Sequence, residues 1–406
     1  MDILTFHNTP SQLEYKVWRA EDFIPTLLVE GKITGIAQER GEHSYSYGFG
    51  SGKGKSRTLN YMDALLKINE IIKLVSRGLG RLKGYEIKID AVGYLLWKRP
   101  REISASGIIT DGLVGSFESN SSHIPGGSEY LPDLHLMQTG RKHYPSAGHV
   151  AVFDDLMFQT SPQDQKMYPL PRELVHRAAV TRFTNGAIRI QSILENARRL
   201  LKTLPRRIIV CDIDEVPQVT GLKGETVIVS THEFGGQSRL FSRTNCGAIN
   251  PSVIKAISEK TGLLTGEIVE QMMAHSGVHS FPDNFDSIRD LCENIKLGNL
   301  QAPENLFVGG LLSAIAGSVA LMGGLGLLVI SGAFGVLYPS LRSLLLKRLS
   351  ILRLSIDETK NELQTREAME ITGRDCKVQI VVAHAETDKQ VAQETYSILR
   401  RQKGGR

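Results

Sequence analysis

The chain has 406 residues, 41% of them hydrophobic and 22% charged, which are ordinary globular values and allow one large domain or two. Its net charge of +5 is small for this length, and the basic cluster at residues 198–207 comes with no zinc-ligand spacing or aromatic-rich motif, which argues against nucleic-acid binding. The four cysteines are far apart and form no CxxC pair, which argues against a disulfide framework and a structural zinc site.

The N-terminal half predicts a cluster of strands rather than a secretory signal. The opening MDILTFHNTP has no basic segment followed by an apolar one, so we expect a cytoplasmic protein. Residues 3–18 are typical of two strands joined by a polar turn, and residues 27–60 of further strands with a Gly-rich hairpin. Apolar spacing predicts a helix over 62–82 and a buried strand over 85–97, then polar loops until an apolar strand at 148–155 that ends in carboxylates.

The C-terminal half predicts alternating helices and strands. The predicted helices are 170–183, 186–204, 250–263, 265–276, 286–295, 341–356 and 388–402. The predicted strands are 206–214, 224–233 and 377–384. One helix start is well marked, since Asn250 is a suitable N-cap and Pro251 a suitable first helical residue. Strands followed by alternating helices and strands, seen twice, indicate two related α/β halves.

The segment GFGSGKGKS at residues 48–56 invites a phosphate-loop interpretation. A P-loop needs four residues between its first Gly and the Gly-Lys-Ser/Thr group, and Phe49 stands where that first Gly belongs. The segment also lies in a predicted hairpin instead of between a strand and a helix. We therefore predict a solvated hairpin.

A second segment, VAVFDDLMFQTSPQDQKMYPLP at residues 150–171, strongly resembles the acetate kinase signature of Val-Phe-Asp, Thr-x-Pro and Tyr-x-Leu-Pro. The resemblance continues in the same order along most of the chain. It includes HNTPSQLEYKVW, IDAVGYLLWKRP, LPDLH, SRTNCGAINPSVI, HSGVHSFPDNFDSIRDL and KVQIVVAHAETDKQVAQET. The shared order and spacing identify the chain as resembling the acetate kinase family.

This resemblance implies an α/β fold with the two-lobed architecture shared by acetate kinase, sugar kinases, hsp70 and actin. Each lobe would be a mixed sheet flanked by helices. Lobe one would comprise residues 1–155 plus 386–406, and lobe two residues 156–385. The family also implies a nucleotide between the lobes and a homodimer formed through lobe two.

Acetate kinases transfer the γ-phosphoryl group of ATP to the carboxylate of acetate or another short-chain acid, which gives an acyl phosphate and ADP. The resemblance therefore implies ATP and Mg²⁺ as cofactors. Such a transfer consists mostly of positioning and charge stabilisation, so the matched positions are those that supply charge, hydrogen bonds or a close backbone. They are Asp154, Arg243, His135 and Asn185 as catalytic residues, Asn8 for metal and cofactor, and Ser11, Gly332 and Gly335 for cofactor.

Three of these matches also have a simpler explanation. Asp154 could cap the segment that follows it, His135 could be a loop histidine, and Arg243 could form a surface ion pair.

Other matched positions depart from the family in a common direction. Tyr94 and Leu95 stand where the family has His-Arg, which removes a cation, and Asn185 replaces a His that contacts the transferred group. The phosphate loop becomes DIDEV at residues 212–216, without glycine and with new carboxylates; two like charges about 4 Å apart repel by roughly 1–4 kcal/mol. Val336 replaces a Glu that helps to hold magnesium.

The charge-free stretch at residues 305–340 looks in isolation like a membrane span. On the family pattern it is instead a helix at 307–322, a turn at Gly323 and Gly324, a strand at 325–331 and a nucleotide loop at 332–337. Clustered glycines in the middle of a span also argue against membrane insertion, although they do not exclude it.

Three functions follow from these patterns. The first is a working carboxylate kinase, in which Lys98, Arg99 or Arg101 could re-supply the lost charge. The second, which the departures favour, is an impaired or inactive family member that acts as a binding or regulatory protein. The third, a membrane-associated protein, rests on the charge-free stretch alone.

Overall fold

The computed structural model describes residues 1–8, 12–21, 24–83, 86–97, 99–100, 102–123, 131–178, 182, 185–233, 238–281, 285–363 and 367–404. The chain divides into two compact units. Unit 1 comprises Met1–Leu156, Arg177–Ala179 and Glu386–Arg406, and unit 2 comprises Met157–His176 and Val180–Ala385.

Unit 1 is built on one eight-stranded mixed sheet. Its strands are β1 (Asp2–Asn8), β2 (Gln12–Arg19), β3 (Thr26–Thr34), β4 (Gln38–Tyr47), β5 (Gly50–Thr58), β6 (Ile89–Leu96), β7 (Gly107–Ile108) and β8 (Gly148–Phe153). They lie in the order β5-β4-β3-β2-β1-β6-β8-β7, with β1, β6 and β8 parallel and the other neighbours antiparallel. Because β4 and β5 pair as an antiparallel hairpin, the predicted hairpin at residues 48–56 is confirmed.

The helices described in unit 1 pack against this sheet. They are α1 (Tyr61–Lys83), α2 (Asp111–His123), α3 (Leu131–His143) and the C-terminal helix Thr387–Gly404. The polar loops predicted between β6 and β8 are wrong, because α2 and α3 lie there. Both helices contain few apolar residues at helical spacing, yet each buries some side chains, such as Phe117 and Met137, in the core of unit 1.

The C-terminal helix lies close above β6. A Cβ atom at Gly93 would come within 2.3 Å of the Thr395 hydroxyl oxygen, so this strand position accepts no side chain while the helix stays in place. The helix buries Val391 and Ala392 against the sheet. Glycine at position 93 is therefore explained by packing alone.

Unit 2 contains a six-stranded mixed sheet. Its strands are β9 (Arg207–Asp212), β10 (Gln218–Lys223), β11 (Thr226–Ser230), β12 (Leu327–Ser331), β13 (Met369–Glu370) and β14 (Gln379–Val382), in the order β11-β10-β9-β12-β14-β13. Strands β9, β12 and β14 are parallel, whereas β10, β11 and β13 pair antiparallel to their neighbours. Strand β10 is not predicted from the sequence.

The helices described after β8 mostly follow the predicted pattern. They are α4 (Arg172–Ala178), whose last residues belong to unit 1, α5 (Ala187–Leu201), α6 (Pro251–Thr261), α7 (Thr265–His275), α8 (Ile288–Lys296), α9 (Ala302–Met322), α10 (Gly332–Leu337), α11 (Pro339–Arg348) and α12 (Glu358–Asn361). The predicted start of α6 is confirmed, since the Asn250 side chain accepts a hydrogen bond from the Ser252 amide.

The charge-free stretch forms α9, a two-glycine turn, β12 and α10 in that order. The loop predicted at residues 332–337 is wrong, because these residues form the short helix α10. Within the described residues, α9 is the one helix long and apolar enough to cross a membrane. Its side chains at Phe307, Leu311 and Ile315 are buried in the core of unit 2, whereas Leu306 and Leu321 are 56% and 60% exposed. Core helices of soluble proteins can have the same composition, so this helix alone is weak evidence for a span.

Candidate active site

In unit 1 the predicted residue Asn8 belongs to a small polar cluster at the carboxyl end of β1. Its amide nitrogen Nδ2 donates to Asp133 Oδ1 over 3.3 Å, and its amide oxygen Oδ1 accepts from the Tyr61 hydroxyl over 3.0 Å. Asp133 lies at the start of α3 and Tyr61 at the start of α1. Both polar atoms of the Asn8 side chain are therefore already engaged by this unit.

Asp133 is the unusual member of this cluster. Its side chain is buried, and the Asn8 bond is the one hydrogen bond that its carboxylate makes within the described residues. Burial raises the pKa of the Asp133 carboxyl to about 7, although the bond from Asn8 opposes the shift. A buried carboxyl whose pKa lies near 7, next to a predicted site residue, is a candidate functional group.

The other predicted residues of unit 1 are separate from this cluster or outside the described residues. His135 is exposed on α3, two residues after Asp133 and on another face of the helix. Asp154 follows β8 directly; it is 9% exposed, and its amide donates to the Leu96 carbonyl over 2.9 Å. Ser11 lies outside the described residues.

Leu95 stands where the resemblance expects an arginine, and the described cation near it in the sequence is Arg99. Leu95 is buried, and Arg99 is held by an ion pair to Asp155 at 3.2 Å and by the Ile103 carbonyl. Lys98 and Arg101 lie outside the described residues. Within the described part of unit 1, Arg99 is thus committed to its own neighbours.

Tyr94 forms a buried pair with a histidine. The His149 ring nitrogen Nε2 lies 2.9 Å from the Tyr144 carbonyl and must donate to it, so Nδ1 accepts from the Tyr94 hydroxyl over 2.9 Å. Burial lowers the pKa of His149, which is therefore neutral. Tyr94 therefore has a structural role in the core of unit 1, where its hydroxyl donates to His149.

In unit 2 a cluster of charges forms where β9 and β12 end side by side, with Ser331 opposite Asp212 in the ladder. The Arg189 guanidinium of α5 donates from Nε to Asp212 Oδ2 over 2.5 Å, and from Nη2 to Asp212 Oδ1 over 3.0 Å and to Asp214 Oδ2 over 2.9 Å. Burial disfavours the charged guanidinium, but the two carboxylates raise the pKa of Arg189 above its ordinary value. We call Arg189, Asp212 and Asp214 the ion triad.

The ion triad corrects one part of the charge argument from the sequence. The carboxylates of this segment were expected to repel the phosphates of a nucleotide, but Arg189 pairs with both Asp212 and Asp214 and offsets one of their two charges. The triad as a whole keeps one net negative charge. The expected repulsion of a phosphate is therefore reduced, but one uncompensated carboxylate charge remains.

Asn185 lies just before α5 and beside His232. Its side-chain oxygen is buried and has no hydrogen-bond partner among the residues described. Its backbone carbonyl accepts from Gln218 Nε2 over 3.5 Å and also acts electrostatically on the His232 ring. Burial lowers the pKa of His232, while the Asn185 carbonyl and Asp212 oppose this shift. A neutral histidine therefore lies next to the position where a family His is missing.

Gly332 and Gly335 belong to α10 and pack on the backbone of Ile213. Gly332 has φ 83°, and a Cβ atom there would lie 2.3 Å from the Ile213 carbonyl oxygen. That same carbonyl accepts from the amides of Phe334 at 3.0 Å and Gly335 at 3.3 Å. The amide groups at the start of α10 thus bind their own chain.

Arg342 of α11 holds the other end of α10. It is 1% exposed; Nη1 donates to the carbonyls of Gly335 at 2.9 Å and Val336 at 2.7 Å, and Nε and Nη2 donate to Asn361. Burial lowers the pKa of Arg342 to about 10, and the charge of Glu362 opposes this shift. Arg342 therefore holds the C-terminal end of α10 through hydrogen bonds to its backbone carbonyls.

Arg243 lies in the exposed segment between β11 and α6. Its Nε donates to the Asp286 carbonyl over 2.9 Å, and its backbone amide donates to the Glu215 carbonyl over 3.2 Å. Burial raises the pKa of Glu215, and the Ile288 amide and Arg243 oppose the shift. Within the described residues no carboxylate pairs with the Arg243 guanidinium.

Arg189, Asp214 and α10 together border a cavity of about 630 Å³ in unit 2. Its other walls are mostly apolar and come from Leu363, Met369, Val382, His384 and Ala385. This size suits a drug-sized or nucleoside-sized molecule. Two predicted site positions, Gly332 and the replaced position Val336, are in its wall.

Several of these residues are missed when the sequence alone is examined. Asp133 contacts Asn8 across 125 positions, and Arg189 contacts Asp212 across 23, so no local spacing reveals either pair. In the sequence, Arg189 is one cation near the start of a predicted helix, and Asp212 and Asp214 form a DxD segment further along the chain. That signal is too common to be specific.

Comparison with known proteins agrees with the sequence resemblance. The acetokinase family model matches residues 11–393. An acetate kinase from Methanosarcina mazei is 26% identical over 342 residues, or 82% of each chain, and one from Natranaerobius thermophilus is 25% identical over 411 residues, which cover 98% of this chain and 100% of that protein.

Solved structures of similar proteins have the same fold. Porphyromonas gingivalis acetate kinase matches with a TM-score of 0.86 at 21% identity, over 98% of this chain and 99% of that one. A propionate kinase from Francisella tularensis matches with a TM-score of 0.83 at 19% identity, over 98% and 99%. The predicted fold class, with mixed sheets flanked by helices as in acetate kinase, is thereby confirmed. With a family model that matches nearly its whole length, the chain belongs to the acetokinase family.

Proposed function

We propose that phosphoryl transfer from ATP to a short-chain carboxylate is impaired or lost in this chain, which acts as a binding or regulatory protein on the kinase scaffold. The observation that carries the proposal is the ion triad. Two carboxylates lie in the segment that matches the family's phosphate loop, and Arg189 of α5 binds both of them.

The triad disfavours a polyphosphate for two reasons. Its net negative charge repels the phosphates, and three of the five guanidinium N–H groups of Arg189 are already bonded to Asp212 and Asp214. In addition, the amides of Phe334 and Gly335 bind the Ile213 carbonyl, so these donors are not available to a phosphate. Among the described residues this site therefore offers few free donors, and the segment at residues 212–216 lacks the flexible glycine backbone that phosphoryl transfer needs.

Mg²⁺ does not fit the residues present well. In nucleotide sites Mg²⁺ is usually held by one or two carboxylates and the substrate phosphates, but Val336 offers no oxygen ligand from its side chain, and the Asn8 amide oxygen already accepts a hydrogen bond from Tyr61. We therefore derive no catalytic step through magnesium.

One observation favours the alternative, a working carboxylate kinase. The Nη1 and Nη2 groups of Arg243 make no hydrogen bond to the residues that the structure describes, so this cation could still meet a transferred phosphoryl group. An arginine in that role contributes on the order of 10³–10⁵ in rate. Asp154 and Arg243 would then be the catalytic residues, with acetate, propionate or butyrate as acceptor.

Trapping the acyl phosphate as a hydroxamate separates the two functions. The purified protein is incubated with Mg-ATP and each of the three carboxylates, and an acetate kinase of the family is the positive control. We expect no product above the buffer rate. Product that disappears in Asp154→Ala or Arg243→Ala would contradict the proposal.

Restoring the family residues tests whether the loss lies in the side chains. The variant Leu95→Arg, Asn185→His and Val336→Glu returns an arginine, a histidine and a glutamate to the matched positions. Hydroxamate formation by this variant, and not by the natural chain, would support an impaired site on an otherwise competent scaffold.

The remaining features follow from the family. We propose that units 1 and 2 correspond to the two kinase lobes, and that the chain is a cytoplasmic homodimer formed through unit 2. Size-exclusion chromatography with light scattering of the purified chain tests the dimer.

A further inference from the structure

Strand β5 forms one edge of the sheet of unit 1. Its nine residues, Gly50–Thr58, pair with β4 alone among the described strands. In an antiparallel pair, every second residue of the edge strand directs its N–H and C=O groups away from the neighbouring strand. At about 3.4 Å per residue the edge is roughly 30 Å long, so it offers a long row of backbone groups to a further strand.

One face of β5 presents cations to solvent. Lys53, Lys55 and Arg57 are exposed and occupy every second position, so their side chains lie on the same face of the strand. On that face the exposed Glu42 of β4 lies opposite Lys55 and offsets at most one of these charges, and Ser44 lies opposite Lys53. The face therefore keeps a net positive charge beside the open edge.

The other face of the β4–β5 hairpin is lined by rings. Three glycines of β5, at positions 50, 52 and 54, lie opposite Tyr47, Tyr45 and His43 of β4. A Cβ atom at Gly52 would come within 2.6 Å of the Tyr45 ring, so this ring lies over the glycine and towards the open edge. All three rings are half-buried, and they offer an apolar surface to the side chains of an added strand.

The charges decide which kind of strand fits this edge. Lysines on an edge discourage pairing between copies of one chain. Two β5 edges paired antiparallel would bring Lys53 and Lys55 of both copies onto one face, where like charges directly opposite each other destabilise the pair. A strand that carries carboxylates on this face is stabilised by the same charges.

We propose that the open edge of β5 binds an extended segment of a partner protein in which acidic and apolar side chains alternate. The backbone of this segment adds a ninth strand to the eight-stranded sheet of unit 1, and its hydrogen bonds supply affinity. Its carboxylates face the cations of β5, and its apolar side chains contact Tyr45 and Tyr47, which supplies specificity. The inference deepens the proposed function, since it names the kind of partner for a chain that acts as a binding protein.

Fluorescence anisotropy on the full chain tests this with three labelled peptides of about eight residues, the length of an ordinary strand. The first alternates glutamate with valine, and the second alternates lysine with valine. The third is the glutamate peptide methylated at its backbone nitrogens, which keeps the charge but removes the donors for strand pairing. We expect the glutamate peptide to bind about tenfold or more tightly than the other two at low salt, and to weaken at about 0.5 M salt. Its binding should also slow amide hydrogen exchange in residues 50–58.

The double variant Lys53→Glu with Lys55→Glu should reverse the preference between the first two peptides, because the face then attracts the lysine peptide. Lys255→Glu with Lys296→Glu is the matched control. It makes the same change in net charge in unit 2, where the two side chains are 77% and 64% exposed. This control should leave the order of the peptides unchanged.

The outcomes are distinct. No binding of the glutamate peptide at millimolar concentration, equal binding of its methylated form, or an unchanged preference in the β5 variant would overturn the inference. A single-stranded RNA that displaces the peptide at lower concentration would identify a phosphate-binding surface and would also overturn it. Hydroxamate formation by the natural chain would contradict the proposed function without affecting this binding, so the two failures can be told apart.

Discussion

Replacing Asp133 with asparagine should stabilise unit 1, and the gain should depend on pH. The carboxyl is buried next to Asn8, and burial raises its pKa from 3.8 to about 7. Asparagine has the same shape and can still accept the hydrogen bond from Asn8, but it never becomes charged. The variant therefore removes the pH-dependent cost of a buried negative charge, and the desolvation cost of the amide that replaces it does not change with pH.

The sign follows from proton binding. Below pH 4 both the folded and the unfolded chain hold the Asp133 proton, so the carboxyl costs nothing. Between pH 4 and 7 the unfolded chain releases the proton while the folded chain keeps it, and stability is lost as the pH rises. Above pH 7 the loss is complete, at about 4 kcal/mol for a shift of this size.

We therefore expect the stabilisation by Asp133→Asn to grow by about 2–3 kcal/mol between pH 5 and pH 8. Urea unfolding followed by tryptophan fluorescence measures it selectively, because both tryptophans, Trp18 and Trp97, belong to unit 1. Asp111→Asn is the control, since its exposed carboxylate should give the same small effect at both pH values. A variant less stable than the natural chain at pH 8, or a gain that does not change with pH, would refute the reasoning.

Three further substitutions test the packing around the candidate site by urea unfolding. Arg342→Met should lower the free energy of unfolding by about 3–5 kcal/mol, because four buried acceptors lose a charged donor. Arg348→Met on the same helix removes one exposed hydrogen bond and should lower it by less than about 1 kcal/mol. Tyr94→Phe should lower the free energy of unfolding by about 1–3 kcal/mol, since it leaves His149 Nδ1 buried without a donor. In the natural chain, an NMR titration should show the pKa of His149 below its ordinary value of 6.5. Gly332→Ala should destabilise unit 2 by at least about 1–3 kcal/mol, because its φ of 83° and the Ile213 backbone both exclude a side chain; near-natural stability would mean that α10 can shift.

Local patterns in the sequence predict much of the fold. The hairpin at residues 48–56 follows from its glycines and polar residues, and the start of α6 from Asn250 and Pro251. These features depend on neighbours within a few residues. Strand β12, with all five residues buried, is likewise visible as a short apolar run.

The errors in the predicted fold arise where packing outweighs the local pattern. Helices α2 and α3 have weak apolar periodicity, and a few buried contacts from each determine their position. Helix α10 has the composition of a glycine loop, yet the carbonyl of Ile213 and the guanidinium of Arg342 hold it in helical form. Ile213 is far from α10 in the sequence, and Arg342, although only six residues from Val336, acts through hydrogen bonds that the local composition does not reveal.

The family resemblance suggests the residues of the candidate site one by one, but it does not predict the hydrogen bonds and ion pairs that these residues form. The sequence indicates that the phosphate loop is replaced by carboxylates. It does not show that Arg189 bridges two of them, or that Asp133 engages Asn8, because each pair depends on the tertiary fold.

The ion triad also bears on the route by which such a site could change during evolution. Replacing Arg189 alone would leave the buried Asp212 carboxylate without its counter-ion. Replacing Asp212 alone would leave the Arg189 guanidinium with only its more exposed partner, Asp214. Breaking a buried ion pair from one side typically costs about 3–5 kcal/mol, a large part of the stability of a domain. A change of this segment to a glycine-rich loop would then require several substitutions at once, because each single step would lower the stability of unit 2. The triad therefore makes the segment difficult to change one residue at a time.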